Sequence, residues 1–381
     1  MSSDGDCRTT ERPWVQNRVT GSENSAGTPT LAERLAKETH RVLAAQVPAG
    51  SRCALLGYPN HRNPGDHAIW LGAKALLRCL HAEIAYECDW QTYSPEALAS
   101  MIDDGTVIFF TGGGNFGDLW PLTQTMREKV LKDFRGVRTI QLPQSVHFDR
   151  DENRERARRL IEGHGNVTLL VRDQQSLDRA QAAFDVPVVL APDLAFAAAV
   201  EPVAAEPAVD VLWIARDDKE SLKRNPTTVP DGVSRRDWMA PVPGEPLAAG
   251  EPLIPDSASR LIALNQELTR AATADERTRR DWRPLAETWE ALSRFRVSHA
   301  CRLLGSGRIV VTDRLHAHIL SLMLGIPTVV TDNSYGKVRA AYETFTPDAS
   351  LARWANTPAE GLAVAQSWLE EEPRQERCGD Q

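Results

Sequence analysis

Along this chain, short apolar runs rich in β-branched residues alternate with longer stretches whose apolar positions recur at helical spacing. The first kind reads as strands and the second as helices with one buried face. A helical pattern over 31–45 is followed by strand-like runs at 54–57, 84–86, 107–110, 139–142, 168–171 and 186–190. Helical segments at 66–80, 95–102, 121–134, 154–163 and 174–183 separate them. Val107, Ile108, Phe109 and Phe110 are apolar throughout, as a strand buried on both faces of a parallel sheet requires. This rhythm predicts a doubly wound α/β domain.

A linker of Ala, Val, Glu and Pro over 197–208 precedes a second α/β unit, which opens with a strand over 209–215. The segment 223–255 is rich in Pro, Gly and Asp and is expected to be a long loop. Helical patterns at 261–270 and 282–304 lead into the most informative stretch, TDRLHAHILSLMLGIPTVVTDNSYGK over 312–337. A strand at 309–311 feeds a helix that Thr312 or Asp313 can cap. Leu315, Ile319, Leu322 and Met323 recur at helical spacing, and Leu320 and Leu324 widen the stripe, so this helix is expected to be buried. Gly325 ends it, Pro327 prevents its restarting, and 328–330 forms the next strand. Helices at 338–345 and 358–369 and a polar tail from Glu370 complete the chain. The expected domains are a disordered N-terminal arm (1–30), a first Rossmann-like domain (31–200), a second (201–355), and a C-terminal helix and tail (356–381).

Composition narrows the picture. A chain of 381 residues, 42% hydrophobic, accommodates two domains of ~150 residues and their cores. The formal charge of −8 argues against bulk attraction to nucleic acid, so any anion site must be a local cluster. No apolar run approaches the ~18 residues of a membrane span, and the polar N-terminus has no apolar core of a secretory signal. Cys7, Cys53, Cys79, Cys88, Cys301 and Cys378 form no CxxC pair and no metal spacing, which suits reduced thiols in a cytoplasmic protein.

The candidate chemistry sits where strands hand over to helices, the ligand edge of an open α/β sheet. Asn63, Gly65 and Asp66 form a turn before the second helix, which reads equally as a site and as a capped turn. Gly112, Gly113 and Gly114 remove Cβ atoms after the buried strand, and Asn115 adds a hydrogen-bonding side chain; an anion nest and a tight turn are both open readings. Gln144, Ser145 and His147 follow a strand in an expected polar loop, and Ser145 lies in no nucleophile elbow. Arg172, Asp173 and Asp193 also end strands and fit helix caps as well as a site. Arg216 closes an apolar strand, where its planar fork suits a carboxylate or phosphate, or pairs with Asp217, Asp218 or Glu220. Arg314 and His316 stand at a helix start, where backbone N–H groups already favour an anion. By helical spacing Arg314 shares a face with His318 and Ser321, while His316 falls nearer Leu320. Lys337 adds a third cation. Two lobes joined by a linker are expected to enclose a cleft, where small ligands bind.

Taken in order, NPGDHAI, the apolar strand with TGGGNFGD, QLPQS, VRDQQS, APD, ARDDKE and TDRLHAHILSLMLGIPTVV with SYGK resemble the polysaccharide pyruvyl transferase family. The resemblance covers 54–337. It implies an α/β fold of two Rossmann-like lobes facing each other across a GT-B-like cleft, with 201–355 as the donor-binding lobe. It implies phosphoenolpyruvate as donor substrate; with no metal-ligand cluster visible in the sequence, no metal or other cofactor is expected. The implied acceptor is a hydroxyl pair on a glycoside or lipid-linked oligosaccharide, which becomes a pyruvate ketal in exopolysaccharide or cell-wall polysaccharide biosynthesis. Such an enzyme is expected in the cytoplasm, acting at the inner face of the membrane.

Carried over residue by residue, the catalytic set is His316, Arg216 and Arg314. The substrate-binding set is Asn63, Gly65, Asp66, Gly113, Gly114, Asn115, Gln144, Ser145 and Lys337. The stretch Asn333-Ser334-Tyr335-Gly336 departs from the shorter Asp-Pro-type loop of many relatives. The arginines and Lys337 would neutralise the donor, and an imidazole, which titrates near neutrality, would move the proton. Asp66 is a candidate to activate a hydroxyl. Two other readings are a GT-B glycosyltransferase using a nucleotide sugar and a non-catalytic sugar or anion binder.

Overall fold

The computed structural model describes residues 29–218, 220–222, 229–238 and 256–378. The expected N-terminal arm therefore lies outside the described residues except for Pro29 and Thr30, as does the 223–255 segment apart from 229–238.

Two compact units are present. The first comprises Glu33–Ala199 and the described part of Ile254–Phe295; the second comprises the described parts of Val200–Leu253 and Arg296–Gln381. The helical patterns between 256 and 295, assigned from the sequence to the second domain, thus belong to the first. Aromatic packing is the reason: Trp289 stacks on Tyr58 at 4.5 Å between centroids, and Trp282 packs edge-on to Tyr86 at 6.3 Å.

The first unit carries β1 (Arg52–Leu56), β2 (Glu83–Cys88), β3 (Val107–Phe110), β4 (Gly113–Gly117), β5 (Thr139–His147), β6 (Val167–Val171) and β7 (Val188–Leu190). They form a seven-stranded sheet in the order β2-β1-β3-β5-β6-β7, with β4 on β5, and every pairing is parallel. All four residues of β3 are buried. The helix Pro64–Cys79 is buried almost all round. A Cβ on Gly72 would lie 1.9 Å from the Leu194 carbonyl oxygen, so only glycine lets this helix reach the 3-10 turn Leu194–Ala197.

Two expected loops are strands. TGGGN continues into β4, and QLPQSVH belongs to β5, which runs nine residues. The two are one feature: β4 takes up the line of β3 after a break at Thr111–Gly112 and pairs with the second half of β5, from Gly113↔Gln144 to Gly117↔His147. Glycine-rich sequence hid the first strand and an internal proline the second. The proline is tolerated because the β5 register shifts between Gln141 and Gln144.

The second unit carries β8 (Val209–Ile214), β9 (Val233–Arg236), β10 (Gly307–Thr312), β11 (Thr328–Val330) and β12 (Ala352–Trp354) in a parallel sheet ordered β12-β11-β10-β8-β9. β9 falls inside the segment expected to be loop; its half-buried polar residues give no apolar signal. Val211, Trp213, Ile309, Val311 and Val329 pack against Leu362, Ala365 and Trp368 of the helix Pro358–Cys378. That helix runs past Glu370 into the expected polar tail. No helix among the described residues is long and apolar enough to cross a membrane.

Candidate active site

In the second sheet the strand order reverses between β8 and β10, and the chain ends that meet there carry Arg216 and Arg314. At such a switch point neighbouring connections leave to opposite sides and open a crevice. Side-chain-to-backbone bonds clamp the two strand ends. Thr312 Oγ1 donates to the Ile214 carbonyl (2.9 Å) and accepts the Arg314 N–H (3.0 Å), while Asp313 Oδ1 accepts the Arg216 N–H (3.0 Å). Neither side chain caps the following helix, as the sequence suggested. Leu315–Leu324 starts from Arg314 as N-cap, with extended dihedrals and no side-chain capping bond. A helix start of this kind, with its N–H groups and dipole, favours an anion.

The cations around this crevice are unequally provided for. Arg216 forms a fork to Asp218, with Nε–Oδ1 of 3.0 Å and Nη2–Oδ2 of 2.9 Å, and its Nη2 also lies 2.8 Å from Glu220 Oε2. Burial opposes its charge, but Asp218 and Glu220 outweigh this and hold its pKa above the ordinary value. Lys337 Nζ lies 2.5 Å from the same Glu220 oxygen. Arg314 differs. Its side chain is 11% exposed, yet its nearest carboxylates stand at 3.6 Å (Asp237) and 3.9 Å (Asp218), and its buried Nε has no hydrogen-bond partner. Burial and the neighbouring Arg216 lower its pKa. Asp313 is buried beside both arginines, and burial pushes its carboxyl up to about 6 despite them. A buried cation short of acceptors marks a place for an external anion.

His316 lies in the first turn of this helix and is 9% exposed. His318 does not share a face with Arg314. It is buried against Tyr342 and hydrogen-bonded to Thr346 Oγ1 at 2.9 Å, and burial pushes its pKa down to about 3. Helical spacing misled here because Arg314 is the cap and not part of the helix. Arg216, Arg314 and Lys337 thus share one carboxylate-lined site, with His316 on the adjoining turn.

The first unit has its own switch point, between β1 and β3, where its strand order also reverses and a crevice is expected. Asn63, not Asp66, caps the helix: its Oδ1 accepts the Gly65 N–H at 3.2 Å. Asn63 Nδ2 also donates to Asp66 Oδ2 at 2.9 Å, and His61 Nε2 lies 3.4 Å from the same oxygen. Gly113, at φ +126°, approaches from β4: a Cβ there would sit 3.6 Å from Asp66 Oδ1. Asn63, Gly65, Asp66 and Gly113 are therefore together.

Gly114 and Asn115 are half-buried on β4, and the rest of the expected polar set turns inward. Asn115 Oδ1 accepts from Gln144 Nε2 (2.8 Å) and Arg127 Nη2 (3.0 Å); burial pushes the Arg127 pKa down to about 9. Ser145 Oγ donates to Asp173 (2.8 Å) and accepts from Arg172 (3.0 Å), which pairs with Asp193. Gln144 and Ser145 are thus buried scaffold around the crevice. Sequence reasoning missed Asp313 as a site carboxylate and Arg127 as a brace. The Thr-Asp-Arg triplet after an apolar strand signalled the first; nothing local signalled the second. Among the described residues no three His, Cys, Asp or Glu side chains gather as a metal site.

A sequence profile of the family described as "Polysaccharide pyruvyl transferase" matches residues 63–335, well over half of the chain. The chain belongs to the polysaccharide pyruvyl transferase family. It is 34% identical over 366 residues to "Pyruvyl transferase 1" of Schizosaccharomyces pombe, covering 90% of this chain and 80% of that protein. It is 28% identical over 302 residues to "Putative pyruvyl transferase EpsO" of Bacillus subtilis, covering 78% of this chain and 87% of the relative. A functionally uncharacterized protein of Klebsiella pneumoniae has a similar fold in its crystal structure, with a TM-score of 0.53 at 15% identity over 85% of this chain and 99% of its own. The pyruvyl transferase match begins at the cap of the first crevice and includes Arg216, Arg314 and His316; Lys337 lies just beyond it.

Proposed function

We propose that this member of the family transfers pyruvate from phosphoenolpyruvate to a pair of sugar hydroxyls as a ketal, in the building of an exopolysaccharide or cell-wall polysaccharide. The observation that carries the reading is the buried Arg314 guanidinium, short of acceptors at an uncapped helix start beside Arg216. Phosphoenolpyruvate is a small anion with a carboxylate and a phosphate, which Arg216, Arg314 and Lys337 would neutralise without a metal or other cofactor. The acceptor would bind at the crevice of Asn63, Gly65, Asp66, Gly113, Gly114 and Asn115, with Gln144 and Ser145 supporting it. The GT-B-like facing of two lobes across a cleft belongs to this proposal, as does action in the cytoplasm at the inner face of the membrane on a lipid-linked or free glycoside.

The chemistry begins with a proton delivered to the donor's methylene carbon, which makes the central carbon cationic. One sugar hydroxyl attacks that carbon and gives up its proton. The bond from the central carbon to the phosphate oxygen then breaks. The second hydroxyl adds to the same carbon, and its proton leaves with the phosphate. His316 supplies and recovers protons in this scheme, since an imidazole does so without large cost near neutral pH.

The test is mass spectrometry of hexosides incubated with the protein and phosphoenolpyruvate. A pyruvate ketal on the sugar, with phosphate released only when both substrates are present, is the expected outcome. Release of a nucleoside diphosphate from nucleotide sugars, with no reaction of phosphoenolpyruvate, would overturn the reading.

A further inference from the structure

We infer that Arg127 is a positioning residue for the acceptor: it turns the Asn115 amide so that its NH2 group, and never its oxygen, is offered to an oxygen of the sugar. The inference rests on the acceptor crevice proposed above and goes beyond it by fixing the polarity of one contact and naming the buried residue that sets it.

Arg127 lies on the helix Pro121–Asp133 and is 2% exposed. Burying a charge is costly unless an opposite charge accompanies it. Here none does. Among the described residues no carboxylate pairs with the guanidinium, and Glu128 reaches it only through the Gln124 amide. Its partners are amide oxygens and aromatic rings. Nε donates to Gln141 Oε1 (2.7 Å), Nη1 to Gln124 Oε1 (2.6 Å) and Nη2 to Asn115 Oδ1 (3.0 Å). The ring centroids of Phe116 and Phe110 stand 4.8 Å and 5.6 Å from Cζ. If the task were only to brace this helix against β4 and β5, a neutral side chain would serve without the cost of a buried charge.

What the cation adds is direction. A guanidinium carries N–H donors and no acceptor, so an amide that meets it must present its oxygen. Asn115 Oδ1 is held a second time, by Gln144 Nε2 at 2.8 Å. Gln144 cannot flip either, because its Nε2 donates to the Thr111 carbonyl (3.1 Å) and its Oε1 accepts the Asn115 N–H (3.1 Å). With Oδ1 taken twice, Asn115 Nδ2 has no hydrogen-bond partner among the described residues, and Asn115 is half-buried on the strand that carries Gly113. An NH2 group polarised by a buried positive charge suits an oxygen with lone pairs to share: a hydroxyl, ring or carbonyl oxygen of the sugar.

The experiment uses Arg127→Lys, Arg127→Met and Asn115→Asp. The sugar is whichever of methyl galactoside, methyl glucoside and methyl mannoside the wild-type protein converts to a ketal with saturating phosphoenolpyruvate. Both Arg127 variants lose the planar fork, but only lysine remains a donor without an acceptor. Urea unfolding should find Arg127→Met at least as stable as Arg127→Lys. The sugar KM should run the other way, raised about tenfold in Arg127→Met, the scale of one hydrogen bond, and about two- to threefold in Arg127→Lys. Asn115→Asp should stay folded through its pairing with Arg127, yet raise the sugar KM by about tenfold or more, with phosphoenolpyruvate binding unchanged in calorimetry. A merely structural brace predicts a KM that follows stability. Equal sugar KM in Arg127→Lys and Arg127→Met, or a wild-type KM in Asn115→Asp, overturns the inference while the pyruvyl transfer reading stands. If neither Arg127 variant folds, Asn115→Asp decides alone. Ketal formation by wild type on none of the three sugars, with phosphoenolpyruvate left unconsumed, would count against that reading itself.

Discussion

Glu220 holds Lys337 in the arginine site: its Oε2 lies 2.5 Å from Nζ, and the same oxygen is 2.8 Å from Arg216 Nη2. One buried carboxylate thus serves two cations from different strand ends. Removing one partner of a buried pair leaves the other uncompensated and costs about 3–5 kcal/mol. Glu220→Gln is expected to lower stability by about 3 kcal/mol in urea unfolding and to weaken phosphoenolpyruvate binding, because Arg216 and Lys337 would then repel. An unchanged unfolding midpoint would show that the bridge contributes nothing.

Asp218 has the opposite standing. It grips Arg216 as strongly as Glu220 does but is half exposed, at 44% for its side chain. Burial tends to raise its pKa, yet the Arg216 fork holds the carboxyl below its usual range, so it is charged at neutral pH. It therefore occupies the edge of Arg216 that a donor carboxylate or phosphate would take. Asp218→Asn is expected to tighten binding of phosphoenolpyruvate and of inorganic phosphate several-fold in calorimetry. Weaker binding in that variant would make Asp218 a positioning group.

A pH dependence of stability follows from Asp313. Burial raises its carboxyl from 3.8 to about 6, so the folded chain holds this proton more tightly than the unfolded chain does. The stabilisation is complete below pH about 4 and is lost as pH rises to about 6 and beyond. Two pH units correspond to about 3 kcal/mol. Asp313→Asn should therefore gain on wild type by up to that amount between pH 4 and pH 7. Parallel stability curves for the two proteins would refute the assignment.

The two histidines of the helix Leu315–Leu324 should separate cleanly. His316→Gln is expected to abolish ketal formation while phosphoenolpyruvate still protects the protein against thermal unfolding. His318, pushed to about 3 by burial, stays neutral and packed against Tyr342 and Thr346. His318→Ala should cost stability of about 2 kcal/mol through the cavity it leaves, with turnover per folded molecule little changed. Turnover retained in the first variant or lost in the second would reverse the roles.

The parallel α/β organisation was legible in the apolar runs, because a strand buried on both faces has little choice but to be β-branched or aromatic. Arg216, Arg314 and Lys337 were legible as neighbours because each follows a strand of one parallel sheet, and such strands end at one edge. What escaped was set by tertiary contact. β4 is mostly glycine and β9 mostly polar, so neither carries a pattern of its own; each is a strand because a neighbour offers hydrogen bonds. The helix Arg283–Gly305 joined the first unit up to Phe295 through Trp289, a stacking that no local pattern announces. Asp313 read as a helix cap because capping is the local use of an aspartate, whereas its partner lies on another strand.

The clamp made by Thr312 and Asp313 ties the roots of both guanidinium groups to main-chain atoms of neighbouring strands, so those roots travel as one rigid body. Their spacing is inherited from the sheet and owes nothing to the loops around it. Changes in those loops can therefore alter what surrounds the two guanidinium groups without moving their roots apart.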